Sequence, residues 1–370
     1  MRILHTESSK GWGGQEIRIL REAEGMRKRG HEVILAVNSG GKLIPRAKEA
    51  GFTVYELSFK KAFALKTIYS LVQICKKHQI DIINTHSSLD AWLGGIAARL
   101  AKKSVIRTRH LSTPIRKGLN SKLLYKGLAD FVVTTSSPIL STIGRQAKLP
   151  PYRLQCIPTG IDPTTLKADP LKAAEFRASL GVGPSDILIG TACFVRSWKG
   201  IQDLLQAATL LKNRKEIKWV IVGGGHVDDY RAKIPELGLN GIVTFTGHLE
   251  VPYSAIRAMD IFVLLSTAHE GVSQASLQAA YLERPLITTT VGGLPEVCLD
   301  GQTGYVVPPF SPESVAKAVA KLVDNPTLRA QFGVRGKQLV EEKFTLTHTL
   351  DEMEKVYTQV SPKVGRFSIL

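Results

Sequence analysis

Short runs rich in β-branched residues alternate with longer helical patterns along the whole chain, and this alternation limits the possible folds more than any other feature. Helical patterns such as 16–30 and 65–78 separate the runs. The runs cover 1–6, 31–37, 52–58, 80–86, 104–110, 130–136, 186–194, 217–223, 242–247, 260–266 and 285–291. Such alternation is typical of a parallel sheet with helices on both faces. Because two successive sets occur, the sequence predicts an α/β protein of two doubly wound, Rossmann-like domains.

A segment rich in turn-forming residues, IPTGIDPTTLKADP (157–170), marks the junction between the two sets. We therefore expect an N-terminal domain over 1–163, a C-terminal domain over 164–346 and a final helix within 347–370. A chain of 370 residues is long enough for two separate cores. Open parallel sheets bind ligands beyond the carboxyl ends of their strands. Two such domains facing each other predict a cleft, and residues that follow strands are its candidate ligands.

Cysteine usage and hydropathy exclude several classes of protein. Cys75, Cys156, Cys193 and Cys298 lie far apart and form no CxxC pair, which favours a reducing compartment over a disulfide framework or a zinc site. No run of 18 apolar residues occurs, so no membrane span is expected. The first residues form a predicted strand and not a signal peptide. These features together predict a cytoplasmic protein.

The positive charge is confined to the first part of the chain. The net charge is +17, and residues 1–160 hold 27 Lys and Arg against 10 Asp and Glu, while the remainder holds 22 of each. Segment 99–126 contains no acid but carries Arg99, Lys102, Lys103, Arg107, Arg109, Arg116, Lys117, Lys122 and Lys126. Such a surface attracts nucleic acid, anionic lipid headgroups or an anionic substrate. A solvated basic face is the alternative.

Two glycine-rich turns follow predicted strands. In GWGGQE (11–16), Gly13 and Gly14 would let a ligand approach the backbone at a helix start, where unpaired N–H groups favour an anion. In GGGH (223–226), Gly224 would offer a similar approach. Neither turn is GxGxxG, so a dinucleotide fingerprint is not supported. A plain tight turn is the alternative at both places.

Two cations follow the strand 186–194. Arg196 and Lys199 lie three residues apart in CFVRSWKG. A guanidinium fork and an ammonium point charge aimed at one place suit a diphosphate. The alternative is a pair of surface cations.

A carboxylate follows the strand 260–266, in EGVSQASLQ. Ser273 is a candidate N-cap for the next helix. The N–H groups of Gly271, Val272 and Ser273 would then point out of the helix start. Glu270 can accept hydrogen bonds from two adjacent hydroxyls, and Gln278 can both donate and accept. The alternatives are a carboxylate that only stabilises the helix dipole and a polar residue at the edge of the core.

His86 and His110 end two consecutive predicted strands, where ligand-binding residues are expected, although a lone histidine is more often structural.

Taken together, these residues resemble the retaining glycosyltransferases of family 4, which have the GT-B fold. The resemblance covers nearly the whole chain. It rests on GGQE, RGHEV (29–33), the RxxKG element, TGH (246–248), EGVSQASLQA (270–279), PLITTTVGGLPEV (285–297) and DGQTGYVVPP (300–309). The last three motifs, in this order and spacing, are the specific ones.

The resemblance implies a nucleotide-sugar donor, linked to UDP or GDP, on the second domain and an acceptor on the first. It implies that Arg196 and Lys199 bind the donor diphosphate and stabilise the leaving group. Glu270 would hold hydroxyls of the donor sugar. It also implies that His110 is a catalytic residue that contacts the donor sugar near the reacting carbon. Gly271 and Val272 would help to hold the sugar hydroxyls, Gln278 would contact the ribose, His248 and Leu249 would lie by the base, and Gly13 and Gly14 would approach the diphosphate. Gly224 and Ser273 are further candidates for binding the donor.

Three further residues of the first domain, Glu16, His86 and Arg109, are candidates for binding the acceptor. The basic segment suits a phosphate-bearing glycolipid at an anionic inner-leaflet surface, with the protein peripheral at the cytoplasmic face of the inner membrane. Lys102, Lys103, Arg116, Lys117, Lys122 and Lys126 are the candidates for that contact. The pattern resembles bacterial enzymes of lipopolysaccharide or other envelope-glycan assembly.

The chain departs from the family pattern at two positions. The family has Glu, seven residues, then Glu, but the second position here is Gln278, so we expect an altered ribose contact without loss of activity. Many relatives place an Arg where this chain has Phe194, so Arg196 would have to substitute for it. No acidic pair suited to Mg²⁺ follows a strand, and we expect transfer with no metal or other cofactor, the two cations stabilising the leaving diphosphate.

Three other functions fit parts of the sequence. A nucleic-acid-binding protein would use the basic segment, but the segment lacks interleaved aromatic residues, and no nucleic-acid partner is expected. A non-catalytic sugar-nucleotide- or lipid-binding relative would explain Gln278, but Lys199 and Glu270 are both intact. A sugar-nucleotide epimerase would be expected to carry GxGxxG and Tyr-xxx-Lys, and neither is suitably placed.

Overall fold

A computed structural model of the chain describes residues 1–110, 115 and 118–361. The chain forms two compact units. Unit 1 comprises Met1–Thr159 together with the C-terminal helix, and unit 2 comprises Gly160–Thr345. Each unit contains one parallel sheet with helices packed on it, which confirms the prediction of two doubly wound α/β domains.

The strands are named in chain order. Those of unit 1 are β1 (Arg2–Glu7), β2 (Glu32–Asn38), β3 (Thr53–Leu57), β4 (Ile82–Thr85), β5 (Ser104–Arg109), β6 (Phe131–Thr134) and β7 (Leu154–Cys156). Those of unit 2 are β8 (Ile187–Ala192), β9 (Ile217–Val222), β10 (Val243–Gly247), β11 (Ile261–Leu264), β12 (Leu286–Thr289) and β13 (Gly304–Val307).

The helices of unit 1 are α1 (Gly14–Lys28), α2 (Leu43–Glu49), α3 (Ala64–Lys77), α4 (Ser88–Ala101), α5 (Leu119–Lys122), α6 (Ser137–Ala147) and the C-terminal α16 (Leu346–Val360). Those of unit 2 are α7 (Pro170–Ser179), α8 (Ile201–Leu210), α9 (Asp228–Arg231), α10 (Lys233–Glu236), α11 (Tyr253–Ala258), α12 (Gln274–Tyr281), α13 (Leu294–Val297), α14 (Pro312–Val323) and α15 (Pro326–Lys343). A π-helical turn follows α5 (Leu123–Leu128), and short 3₁₀ turns cover Lys61–Phe63, Pro151–Arg153 and Ser197–Lys199.

The strand orders are β3-β2-β1-β4-β5-β6-β7 and β10-β9-β8-β11-β12-β13, with every pair parallel. In each sheet the order reverses once, between β1 and β4 in unit 1 and between β8 and β11 in unit 2. Ligands of open α/β sheets bind beyond the strand ends at such a reversal. The two reversals therefore mark the places where functional residues are expected.

Two edge strands, β7 and β13, were not predicted as strands. β7 has three residues and follows Pro150 and Pro151, so its β pattern is too short to read. β13 begins at Gly304, where a Cβ atom would lie 1.9 Å from the carbonyl oxygen of Leu286. Glycine lowers the strand propensity there while permitting the close approach of β12.

Helix α16 completes the core of unit 1. Leu350, Met353 and Tyr357 recur at helical spacing and are buried against α1 and the sheet. The two helices pack closely at Gly25, where a Cβ atom would lie 2.3 Å from Leu350 Cδ1. At the edge of this contact, Arg29 pairs with Glu354 at 2.8 Å.

A buried polar network joins α16 to α1 and β4. The Tyr357 hydroxyl donates to Glu22 Oε1 at 2.6 Å and accepts from the Asn84 amide at 2.9 Å. Arg18 Nε lies 3.6 Å from Glu22 Oε2, and both side chains are fully buried. Because a buried charge needs compensating partners, this network makes the position of α16 important for the stability of unit 1.

We expect Tyr357→Phe to lower the free energy of unfolding by about 1–3 kcal/mol, because Glu22 loses a donor and Asn84 loses an acceptor in a buried site. Urea denaturation followed by circular dichroism measures the effect. Tyr69→Phe, at an exposed tyrosine, is the matched control and should change nothing. An unchanged midpoint for Tyr357→Phe would contradict the stabilising role of the network.

Candidate functional site

An ion pair lies at the strand reversal of unit 2. Lys199 follows β8 and Glu270 follows β11, and Lys199 Nζ forms a close ion pair with Glu270 Oε1. The Ser266 hydroxyl donates to the same carboxylate oxygen at 2.7 Å. The Glu270 residue is 6% exposed, so the pair is largely shielded from water. The structure thus brings together two of the predicted site residues from different strand ends.

Two left-handed glycines allow the pair to form. Gly200 follows Lys199 with φ of 70°, and a Cβ atom there would lie 1.9 Å from the carbonyl oxygen of Leu265. Gly292 has φ of 58°, and a Cβ atom there would lie 1.9 Å from the carbonyl oxygen of Glu270. Any other residue would collide with the strand end. These contacts explain the glycines of the RxxKG and VGG motifs.

Part of this site has no protein partner. Within the described ranges, no donor contacts Glu270 Oε2, and no acceptor contacts the N–H groups of Gly271 and Val272. Ser273 caps α12 by accepting a hydrogen bond from the Ser276 N–H at 3.4 Å. A carboxylate oxygen and N–H groups at a helix start can bind a hydroxyl-rich or anionic ligand.

Arg196 has surroundings different from those of Lys199. Its guanidinium lies 5.1 Å from the ring centroids of both Phe194 and Trp198, and the side chain is exposed. Cation–π attraction orients it without neutralising its charge. Phe194, the residue that departs from the family pattern, therefore contacts Arg196 itself, and binding of a diphosphate by Arg196 stays a prediction.

The predicted nucleotide-binding residues lie at the ends of β9 and β10 and on α12. A Cβ atom on Gly224 would lie 3.5 Å from His248 Cβ, so these two positions are neighbours. The adjacent Gly223 is required structurally, because a Cβ atom there would lie 1.8 Å from the carbonyl oxygen of Cys193. His248 is exposed, whereas Leu249 packs partly against the core.

Gln278 lies half-buried on α12, and no other described residue forms a hydrogen bond with its amide group. The amide is available to a ligand, and its contact with a ribose stays a prediction.

Three buried histidines form a row at the strand reversal of unit 1. His5 Nδ1 lies 2.8 Å from His86 Nε2, and His86 Nδ1 lies 3.0 Å from His110 Nε2. The exposed fractions of these residues are 1%, 2% and 9%. Burial lowers the pKa of all three, for His86 and His110 well below the usual range. The three rings are therefore neutral at physiological pH.

Two buried carboxylates lie beside the histidine row. Glu7 accepts hydrogen bonds from the backbone N–H of Ser9 at 2.6 Å and from the Ser87 hydroxyl. Asp90 accepts a hydrogen bond from the backbone N–H of His86 at 2.8 Å. Burial, reinforced by the charge of Asp90, raises the pKa of Glu7 to about 7. Both groups hold the loops that follow β1 and β4.

The turn after β1 has the geometry of a helix cap. Glu16 accepts from the Ser9 hydroxyl at 2.6 Å and from the Gly13 N–H at 2.9 Å, so both of its oxygens are used in starting α1. A Cβ atom on Gly14 would meet nothing within 4 Å, which leaves space above the helix start. Glu16 is thus placed as a capping residue, and its contact with an acceptor stays a prediction.

The basic segment divides into buried and exposed cations. Arg109 donates to the Tyr125 hydroxyl at 2.8 Å, and Arg99 pairs with Asp130 at 2.7 Å. Arg107 is 4% exposed, and its Nε and Nη1 atoms have no hydrogen-bond partner among the residues described. Lys102, Lys122 and Lys126 are exposed and Lys103 is half-buried. Arg116 and Lys117 lie outside the described residues.

Sequence reasoning missed three residues of these two sites. Ser266 orients Glu270, and His5 completes the histidine row. Arg107 was read only as part of the basic segment. Each lies in or at the end of a predicted strand. Comparing the ends of neighbouring strands in pairs could therefore have found them.

In the described ranges, no group of three or more His, Cys, Asp or Glu side chains has an arrangement suited to a metal ion. No helix there has the length and apolar character needed to cross a bilayer.

Comparison with known proteins identifies both units. Residues 12–165 match the family described as Glycosyltransferase Family 4, and residues 173–339 match the family described as Glycosyl transferases group 1. The two matches together cover most of the chain.

The matched relatives include bacterial and archaeal proteins. O-antigen chain mannosyltransferase C of Escherichia coli is 28% identical over 97% of this chain and 98% of its own length. The uncharacterized glycosyltransferase MJ1069 of Methanocaldococcus jannaschii is 29% identical, and this match spans 45% of each chain. The crystal structure of HepE from Anabaena in complex with UDP has a TM-score of 0.88 at 19% identity, covering 97% of this chain and 100% of HepE. The last likeness shows that the fold is shared.

The raised pKa of Glu7 predicts a pH-dependent stability. Because this pKa rises from 4.5 to about 7 on folding, the folded state binds the proton more tightly than the unfolded chain. The contribution of Glu7 to the free energy of unfolding is present below about pH 4.5 and is lost as the pH rises through about 7. We expect Glu7→Gln, which cannot ionise, to raise the Tm by several degrees at about pH 8 and by much less at about pH 5.

Thermal unfolding at both pH values checks this prediction. Glu175→Gln, at an exposed carboxylate of unit 2, is the control and should leave the Tm unchanged at both. Equal effects of Glu7→Gln at the two pH values would show that the carboxyl titrates normally in the folded protein.

Proposed function

The chain belongs to the family 4, or group 1, glycosyltransferases and has their GT-B architecture of two Rossmann-like domains, and from this premise we propose its reaction. It transfers a sugar from a nucleotide-diphosphate donor to a glycan or glycolipid acceptor, with retention of the anomeric configuration. The process it serves is assembly of lipopolysaccharide or another envelope polysaccharide. The relation to an O-antigen mannosyltransferase over nearly the full length supports this assignment.

The observation that carries the proposal is the Lys199–Glu270 pair at the strand reversal of unit 2. A ligand bound there meets the Lys199 cation. It also meets a carboxylate oxygen of Glu270 and the N–H groups of Gly271 and Val272, which have no partner among the described residues. Sugar hydroxyls donate to the carboxylate, and phosphate oxygens accept from the ammonium and the N–H groups. One site of this kind can therefore hold the two halves of a sugar diphosphate at once.

In the proposed reaction, negative charge grows on the diphosphate as the bond to the sugar breaks. Lys199 stabilises that charge, and the N–H groups of Gly271 and Val272 add fixed dipoles. Arg196, held against Phe194 and Trp198, supplies a second cation. We propose that these groups support departure of the leaving group without a metal ion.

Glu270 plays two parts in this proposal. Its Oε1 atom is occupied by Lys199 and Ser266, which fixes the carboxylate plane. Its Oε2 atom accepts hydrogen bonds from hydroxyls of the donor sugar. Substrate hydroxyls thus bind an oriented group, and little conformational freedom is lost on binding.

Gln278 contacts the ribose, while Gly224, His248 and Leu249 lie beside the base. An amide can bond to a ribose diol as a neutral group, so Gln278 is compatible with activity. HepE was crystallised with UDP, which supports a uridine donor. The relation to a mannosyltransferase leaves a GDP-linked donor as the alternative.

On the acceptor side, we propose a phosphate-bearing glycolipid approached from the cytoplasm by a peripheral protein. Exposed Leu119 and Leu123 alternate with exposed Lys122 and Lys126 on the turns that follow β5. Apolar side chains flanked by lysines suit the surface of an anionic bilayer. Two guanidinium atoms of Arg107 are buried and have no hydrogen-bond partner among the described residues, which favours an anionic group on the acceptor.

We expect Glu270→Gln and Lys199→Met each to lower kcat/KM for transfer by about 10²–10³-fold or more, because each removes an interaction with charge or hydroxyls in the transition state. Transfer to an acceptor extract from a radiolabelled nucleotide sugar measures the effect. Asp324→Asn, which breaks the exposed pair with Arg214 in the same unit, is the control.

Unchanged thermal unfolding of each variant is required for this test, since removing one partner of a shielded pair also affects stability. Full turnover by a folded Glu270 or Lys199 variant would show that the pair is structural and that the site is misassigned.

We expect charge reversal at Lys102, Lys122 and Lys126 to weaken binding to vesicles containing anionic lipid by on the order of 100-fold, since each lysine near the surface contributes about 1 kcal/mol. Vesicle sedimentation at low ionic strength measures the binding. The matched control reverses the same amount of charge at three exposed lysines of unit 2, Lys172, Lys215 and Lys317. Equal binding by the two triple variants would remove the membrane contact from the proposal.

A further inference from the structure

The histidine row of unit 1 contains more hydrogen-bonding atoms than hydrogen bonds. His5, His86 and His110 have six ring nitrogens, and the two hydrogen bonds between them use four. Three neutral imidazoles carry three protons, so one proton lies in each hydrogen bond and the third lies at one end of the row. The third proton is either on His5 Nε2 or on His110 Nδ1.

The two arrangements give His110 Nδ1 different hydrogen-bonding roles. If the third proton is on His110 Nδ1, that nitrogen donates a hydrogen bond. If it is on His5 Nε2, both internal hydrogen bonds point from His110 toward His5, and His110 Nδ1 has a free lone pair. Changing one arrangement into the other requires every ring of the row to change its tautomer, so His5 controls His110 through His86.

The charges of Glu22, Arg18 and Arg107 favour one arrangement. Burial lowers the pKa of His5, and the carboxylate of Glu22 opposes that shift, so Glu22 favours a proton on this ring. The guanidinium groups of Arg18 and Arg107 act on His86 and His110 and disfavour protons there. Among the described residues, Arg107 has no acidic partner to offset this field. The field therefore drives the third proton toward His5.

Packing fixes the rings in this relation. The His5 and His86 rings are stacked with centroids 5.1 Å apart, and those of His86 and His110 are 5.3 Å apart. The His5 Nε2 atom is buried and has no hydrogen-bond partner among the described residues, so no neighbouring group there fixes its protonation.

We propose that His5 and His86 are positioning residues that hold His110 with its proton on Nε2, so that His110 Nδ1 accepts a hydrogen bond from a substrate hydroxyl. The inference rests on the proposed function for the identity of that hydroxyl, which belongs to a sugar. It assigns His5 and His86 a role that acts through His110 and does not depend on either ring touching a substrate.

The tautomers can be measured without any enzymatic assay. Two-bond ¹H–¹⁵N spectra of the full chain, labelled at its nine histidines, distinguish a protonated ring nitrogen from a bare one. Signals are assigned from the spectra of His86→Gln and His110→Gln. We expect His110 to be protonated at Nε2 and bare at Nδ1 near neutral pH. Protonation of His110 at Nδ1 would overturn the proposal.

A pair of variants at His5 tests the control through the row. His5→Asn places an amide oxygen near the original Nδ1 and can still accept the His86 proton, whereas His5→Leu cannot. We expect His5→Asn to keep the His110 tautomer and to keep kcat within about 3-fold. We expect His5→Leu to give mixed tautomers at His110 and about a 10-fold lower kcat, the equivalent of one hydrogen bond.

Both variants must unfold at similar temperatures. A lower kcat can then be assigned to a changed His110 tautomer and not to unfolding. Identical His110 spectra and identical kcat values for the two variants would overturn the inference. If the protein transferred no sugar at all, the proposed function would fail, yet the spectra would still decide whether the row sets the tautomer of His110.

Discussion

The candidate site of unit 2 depends on a single shielded ion pair. Lys199 and Glu270 come from loops more than seventy residues apart in sequence, and their contact fixes the ends of β8 and β11 against each other. A buried charge is costly without its partner, so each residue of the pair requires the other. The left-handed Gly200 and Gly292 exist because the loops must approach the strand ends this closely. Ser266 then adds the hydrogen bond that orients the carboxylate.

The strand reversal of unit 1 has a different composition from that of unit 2. Unit 1 buries polar groups near the strand reversal, and apart from Arg107 those discussed here are neutral or paired. The three histidines are neutral because burial opposes their charge, whereas Arg18 and Glu22 compensate each other and are closed off by Tyr357 of α16. The C-terminal helix therefore contributes to the electrostatics of the unit as well as to its core.

The periodic features of the sequence predicted the fold well. Eleven strands and the long helices followed from alternation of β-branched runs with helical patterns, since burial on a parallel sheet leaves a repeated apolar signature. The short edge strands β7 and β13 left no such signature. The sequence also predicted that Lys199 and Glu270 follow strands. It could not predict their contact, because that contact depends on the order of strands in the sheet.

Other parts of the site lie beyond sequence reasoning for physical reasons. Glu16 reads as a free acid, but the geometry of the turn directs both of its oxygens to the start of α1. The basic segment reads as one surface, but Arg107 and Arg109 point into the unit while Lys122 and Lys126 point outward. His5 lies far from His86 in sequence, and only the adjacency of β1 and β4 brings the two rings together.

The central claim is that the Lys199–Glu270 site binds a nucleotide sugar, and calorimetric titration of the full chain with UDP, GDP, ADP and CMP, each free and linked to a common sugar, tests it most directly. The account predicts saturable binding of one uridine or guanosine diphosphate series, and binding at least about 10-fold weaker in Lys199→Met, since a charge-assisted contact contributes roughly 1.5–3 kcal/mol. Binding of none of these nucleotides by the folded protein, or equal affinity in Lys199→Met, would contradict it.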